Sequence, residues 1–161
     1  MIYKFHFDYD HDLLMHQAKE EGYENFIDPK GGKVFDDWFI KRIDSGYGKK
    51  ISDMFAETFD CEVRPRFYIQ NPGYSLGFHR DRGTQCAINI VLQGEDDKIT
   101  FRENGVEESI SYKVALLNVQ KEHAVFEPRN KRYLFKMSIF DKSYQEIKEN
   151  LSSLSYTSSQ E

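Results

Sequence analysis

A histidine and an aspartate two residues apart, His79 and Asp81, lie in the stretch Tyr74-Ser-Leu-Gly-Phe-His-Arg-Asp-Arg82. In an extended strand, residues two apart point to the same face, so an imidazole and a carboxylate at this spacing converge without any special backbone. A third ligating group, His123, follows 42 residues after Asp81 in Lys121-Glu-His-Ala-Val-Phe126. Two imidazoles and one carboxylate form a facial triad that suits Fe(II) and leaves coordination positions open. Zinc accepts the same ligands, but structural zinc sites take four, usually with cysteine, so an open three-ligand set points to catalysis. Alone, His79 reads as a core histidine and Asp81 as a turn residue before Gly83. The ordered set is what carries the metal reading.

Nine residues beyond His123 stands Arg132, at the head of the apolar run Tyr133-Leu-Phe-Lys-Met-Ser-Ile-Phe140. His79-x-Asp81, His123 and Arg132 in this order resemble the iron(II)- and 2-oxoglutarate-dependent oxygenases, in particular their prolyl-hydroxylase and aspartyl/asparaginyl-hydroxylase-like branches. The similar segment runs from about 64 to 141, roughly half the chain. The resemblance implies a distorted double-stranded β-helix with Fe(II) held by His79, Asp81 and His123. It implies 2-oxoglutarate as co-substrate, O2 as oxidant, and succinate and CO2 as products of a hydroxylation.

A buried co-substrate carboxylate needs a permanent cation, and a guanidinium pairs with it through two hydrogen bonds. Arg132 is favoured for this role. Lys136 is the rival, because Arg132, Leu134, Lys136 and Ser138 share one face of a strand while Tyr133, Phe135, Met137 and Ile139 share the other. The first face is too polar to pack dry and is expected to line a wet cavity. Arg129 is expected in a solvated loop. Asn89, inside an apolar strand, needs a partner, since a buried unpaired amide costs on the order of 1–3 kcal/mol. Either a ligand oxygen or a neighbouring backbone group would serve. Tyr68, in Phe67-Tyr-Ile-Gln-Asn-Pro-Gly73, resembles the family's tyrosine whose hydroxyl reaches the co-substrate; a core or surface role is the alternative. Tyr74 and Asn118 are further candidates. His11 and His16, five apart on a helix, do not share a face and are not read as ligands, nor is His6.

These residues must be carried by strands. Ile2–Asp8 alternates at period 2, and Asp10 caps a helix running to about Glu21, stopped by Gly22. Glu24–Lys33 reads as a loop around Asp28-Pro-Lys-Gly-Gly, Phe35–Ile43 as a short amphipathic helix with Trp38, and Lys49–Phe59 as a second helix. Strands follow at 62–70, 77–81, 85–93, 98–103, 106–112, 114–119, 123–126 and 132–140, with Asn104-Gly105 a hairpin turn. A helix at 143–151 precedes a Ser-rich tail, 152–161, expected to be disordered. The fold class is mainly β with N-terminal helices: a cupin-like jelly roll over 62–141, with 1–60 as an α-rich preface packing on it, in one domain.

The 161 residues suffice for one sizeable core. Net charge is −5 without a basic block, which argues against a general nucleic-acid binder. Alkylation-repair demethylases carry a second arginine six residues beyond the co-substrate arginine; Ser138 stands there instead. Gly94-Glu-Asp-Asp-Lys98 also departs from the Gly-Gly pair frequent in the family. Cys61 and Cys86 lack a Cys-x-x-Cys spacing and are read as free thiols. No stretch reaches 18 apolar residues and the N-terminus lacks an apolar signal core, so a cytoplasmic protein without a membrane partner is expected. The functional expectation is a hydroxylase acting on an amino-acid residue of a peptide or protein, or on a small molecule. A non-enzymatic jelly-roll binding module and a cupin-type metal dioxygenase without 2-oxoglutarate are the alternatives.

Overall fold

The computed structural model describes residues 1–154. In chain order its elements are β1 (Ile2–Lys4), α1 (His11–Lys19), β2 (Glu24–Ile27), β3 (Val34–Arg42), α2 (Gly46–Phe59), β4 (Val63–Gln70) and β5 (Leu76–His79). They continue with β6 (Cys86–Gln93), β7 (Ile99–Glu103), β8 (Val106–Ile110), β9 (Val114–Leu117), β10 (Glu122–Val125), β11 (Arg132–Ile139) and α3 (Tyr144–Ser153). A seven-stranded antiparallel sheet, in the order β1-β9-β6-β11-β4-β3-β2, faces a four-stranded one, β5-β10-β7-β8. This is the jelly roll that the run of short strands predicts.

The two faces of the large sheet bury different things. Phe67, Ile88, Ile90, Phe135 and Met137 point to the helical side and meet Leu14 of α1, Phe55 and Phe59 of α2, and Ile147 and Leu151 of α3. Each fully buried large side chain contributes about 1.5–3 kcal/mol relative to exposure. On the opposite face, Ala87, Val91, Ala115 and Leu117 meet Phe101 and Val125 of the small sheet. That second core closes one part of the space between the sheets, and the remainder is an open polar cavity. α1 is capped as the sequence predicts at Asp10, whose carboxylate accepts the Leu13 amide, and α3 is capped at Ser143, which forms a reciprocal capping box with Glu146.

Two expectations are overturned. Residues 35–43 form strand β3, not a helix, and 24–27 form strand β2, not loop. The physical reason is that β3 is covered on both sides. Trp38 and Ile40 face the cavity, whereas Lys41 turns to the helices, where its ammonium bonds the Gln17 and Glu20 carbonyls at 2.7 and 2.9 Å and closes the end of α1. A strand apolar on both faces loses the period-2 signature. Residues 1–60, with helices α1 and α2, also give β1, β2 and β3 to the large sheet. Asn104 and Gly105 form the expected hairpin turn between β7 and β8, both at positive φ, 53° and 76°. α3 runs through Ser153, past the expected start of a disordered tail at Ser152; the rest of that expectation, 155–161, lies outside the described residues.

Candidate active site

His79 ends β5, and His123 lies in β10 as its direct cross-strand partner. That register sets the two rings side by side, with centroids 4.4 Å apart. Each Nδ1 lies 2.7 Å from a backbone carbonyl two residues earlier, Gly77 for His79 and Lys121 for His123. A carbonyl only accepts, so each Nδ1 carries the proton and each Nε2 presents its lone pair. This orientation by a backbone carbonyl is what metal-binding histidines use.

Asp81 falls two residues past the end of β5, held by its amide on the Val119 carbonyl at 2.9 Å. One carboxylate oxygen, Oδ1, lies 3.5 Å from His79 Nε2 and 3.3 Å from His123 Nε2. These separations approach the roughly 3.0 Å edge of an octahedron with bonds of about 2.1 Å. Among the described residues, His79, Asp81 and His123 form the one group of ligating side chains whose donor atoms all lie within 4.8 Å of one another. His6, by contrast, pairs with exposed Asp8 and His11 with Tyr9. Burial, then the neighbouring His123, lower the His79 pKa and keep its imidazole neutral, as a ligand must be.

The other carboxylate oxygen, Oδ2, is bonded by the ammonium of Lys136, reaching across from β11 in the opposite sheet. Burial pushes the Asp81 carboxyl up, but the Lys136 ammonium outweighs it and holds it well below the usual carboxylate range. Burial disfavours the Lys136 ammonium, yet Asp81 and Tyr68 hold its pKa above the ordinary lysine value. The pair therefore carries both charges, and Asp81 keeps Oδ1 turned toward the histidines.

The alternation expected along β11 is present. Arg132, Leu134, Lys136 and Ser138 all line the cavity between the sheets, about 1190 Å³ in volume. Arg132 is 4% exposed, and Gly94 makes room for it: a Cβ there would stand 3.2 Å from Arg132 Cγ, at a φ of +91°. Its Nη2 lies 3.5 Å from the Tyr112 hydroxyl, which also accepts from Asn89 Nδ2 at 3.1 Å. Having accepted twice, that hydroxyl has its own proton free to donate. Three buried polar atoms around this end of the cavity, Arg132 Nε, Asn89 Oδ1 and Gln70 Oε1, have no protein partner. Each such atom costs on the order of 1–3 kcal/mol unless a polar ligand or water satisfies it. A polar ligand beside a buried guanidinium fits this arrangement.

Tyr68 also lines the cavity, with its ring beneath the Lys136 ammonium at 5.8 Å and beside Trp38 at 5.6 Å. Tyr74 lines the cavity too, while Asn118 serves a turn by accepting the Gln120 amide. The Arg129 amide bonds Asp97 in a loop away from the histidines. Sequence reasoning missed Tyr112, which sits in the link between β8 and β9, and missed the Lys136–Asp81 pair. Asp81 and Lys136 are 55 residues apart on opposite sheets, and no local pattern joins them.

Fold and site together define a jelly-roll protein in which three side chains between the sheets, His79, Asp81 and His123, could hold a metal ion. No family model and no curated protein matches the sequence. Solved structures do match the fold. A 2OG-Fe(II) oxygenase family oxidoreductase from Burkholderia pseudomallei is 14% identical, with a TM-score of 0.56, over 81% of this chain and 78% of that one. A prolyl-4-hydroxylase from Pseudomonas putida is 17% identical, with a TM-score of 0.52, over 65% and 72% of the two chains. A prolyl hydroxylase from Trichoplax adhaerens, in complex with a hypoxia inducible factor oxygen degradation domain peptide fragment, is 14% identical, with a TM-score of 0.62, over 91% and 79%. The chain thus has the fold of the 2OG-Fe(II) oxygenases, prolyl hydroxylases among them.

Proposed function

We propose that this chain is an Fe(II)- and 2-oxoglutarate-dependent dioxygenase that hydroxylates an amino-acid residue of a peptide or protein, or a small molecule. The observation that carries the reading is the convergence of His79, Asp81 and His123 within 4.8 Å, facing a buried, partly unpaired Arg132 across the same cavity. The similarity to peptide-bound prolyl hydroxylase supports a peptide substrate.

Fe(II) would be held by His79 Nε2, His123 Nε2 and Asp81 Oδ1, and 2-oxoglutarate by Arg132, Tyr112 and Asn89. O2 is the oxidant, and the ion and co-substrate would supply the chemistry by which one of its oxygen atoms enters the substrate and the other the co-substrate, which leaves as succinate and CO2. The chain's own residues orient and insulate. The Gly77 and Lys121 carbonyls fix both imidazole tautomers. Lys136 takes Asp81 Oδ2, leaving one oxygen for the ion. Arg132 offers a diacid's far carboxylate a charge that cannot be lost by deprotonation. Tyr68, Leu134 and Val125 wall the cavity and limit water.

The test is turnover. With Fe(II) and 2-oxoglutarate, succinate should form in the presence of O2 and not in its absence, and His79→Ala should abolish it. Oxygen consumption without any need for 2-oxoglutarate would favour a cupin-type dioxygenase instead. No oxygen consumption at all would leave the chain a binding module.

A further inference from the structure

Arg66 is a basic side chain of the cavity with no role in holding metal or co-substrate. Arg42, Arg66, Lys136 and Asn89 are successive partners across β3, β4, β11 and β6, so their side chains stand in one row on the cavity face. The outer two cations of this row are matched: Arg42 pairs with Glu24 at 2.9 Å, and Lys136 with Asp81. Arg66 stands between them, half-buried in the cavity wall, its side chain making no hydrogen bond or ion pair with any described residue. Its repulsion is felt at Lys136.

Like charges directly opposite one another destabilise a sheet, so an uncompensated cation between two others is a cost in the free protein. Nearby acids do not relieve it. Glu62 is engaged by Arg64, and Glu122 by Arg102 and Arg80. Seven basic and three acidic side chains line the cavity, although the whole chain is acidic at −5.

Tyr68, two residues along β4 from Arg66, leads from this row to an aromatic wall whose Trp38 pairs with Gln70 in the Arg132 row. Trp38 stacks on Phe26 at 4.0 Å and on Tyr68 at 5.6 Å, and its ring is 6.5 Å from His79. Phe26, Phe35 and Trp38 are all half-exposed to the cavity, on the hairpin formed by β2 and β3.

We propose that Arg66 is the anion-binding element of the substrate subsite, and that the substrate carries a carboxylate or similar anion next to an apolar or aromatic part that rests on Trp38 and Phe26. The claim deepens the oxygenase reading and rests on it only in taking this cavity as the substrate site. Arg66 is assigned to substrate rather than co-substrate because two of the three orphaned polar atoms, Arg132 Nε and Gln70 Oε1, lie in the Arg132 row, four residues along β11 from the Arg66 row. The third, on Asn89 at the far end of the Arg66 row, belongs to a side chain tied to Arg132 through the shared Tyr112 hydroxyl.

The test reads binding, not turnover. The full chain, loaded with Mn(II) and saturating 2-oxoglutarate, is titrated calorimetrically with N-acetyl-tyrosine and with N-acetyl-tyrosinamide, which differ by one negative charge. The acid should bind about tenfold or more tightly than the amide, as one charge-assisted hydrogen-bonded pair supplies. Arg66→Gln should erase that difference, and Arg66→Lys should retain part of it. Arg66→Gln should leave 2-oxoglutarate affinity unchanged and should melt no lower than the wild type, since a like-charge contact has been removed. Equal affinity for the two probes, no binding of either, a preference that survives Arg66→Gln, or a destabilised Arg66→Gln would each overturn the assignment. Failure of the oxygenase reading would show separately, as no 2-oxoglutarate binding to the Mn(II) protein before any probe is added.

Discussion

Replacing Lys136 with Met removes the ammonium from Asp81 Oδ2 and leaves the stem's apolar volume in place. The Asp81 and Lys136 side chains are only 13% and 15% exposed. Breaking one partner out of a buried pair typically costs 3–5 kcal/mol, because the remaining charge is stranded. A carboxylate stranded in this way can take up a proton, and that limits the penalty. We expect about 2–3 kcal/mol, or a melting point lower by roughly 5–10 °C for a chain of this size. The assay is urea unfolding in a chelator for the wild type, Lys136→Met, Asp81→Asn and the double variant. Their cycle isolates the pair from the packing of the lysine stem. Lys136→Met should cost little once Asp81 is neutral. Mn(II) should restore more stability to Lys136→Met than to the wild type, since the ion supplies the missing positive charge. A Lys136→Met protein within about 0.5 kcal/mol of wild type, or an equal loss in the Asp81→Asn background, would refute the reasoning.

Arg132→Ala should weaken 2-oxoglutarate binding by roughly 100-fold, about 3 kcal/mol, and leave Mn(II) affinity within a few-fold; calorimetry separates the two. Gly94→Ala combines a positive φ of +91° with a Cβ pressed on Arg132, so a loss of about 1 kcal/mol in stability and a weaker 2-oxoglutarate complex are expected together. The cysteines should be poor nucleophiles, because burial pushes the Cys86 thiol up to about 12 and Cys61 to about 11. Raised values mean less thiolate at a given pH, so at pH 8 Cys61 should react with a disulfide reagent roughly 100-fold more slowly than an ordinary thiol. Both thiols should titrate rapidly only after unfolding, and reactivity should rise as the pH climbs toward 11.

The candidate triad was legible because the chemistry is local: His79 and Asp81 lie two apart at a strand end, and His123 lies in a short strand with Ala124 and Val125. The polar face of β11 was legible through strict alternation along eight residues. The hairpin at Asn104-Gly105 was legible because two consecutive positive-φ residues have few sequence solutions. β3 was not, since Trp38 and Ile40 on one face and Phe39 and Lys41 on the other mask its period. Tyr112 and Lys136 escaped for a different reason. Their roles follow from the separation of two sheets and the register between them, which composition and spacing do not encode. Arg66 is the same case. Only the pairing of β3, β4 and β11 shows that it stands between two other cations.

The account depends on two imidazoles and a carboxylate acting as one ligand set that presents a chelating diacid to iron. Anaerobic addition of Fe(II) and 2-oxoglutarate to the full chain, followed by visible absorption, tests this most directly. We predict a metal-to-ligand charge-transfer band that needs both additions, saturates at one equivalent of iron per chain, and is absent from His79→Ala and His123→Ala. A wild-type protein that binds both components without the band, or a band that persists in either variant, would contradict the account.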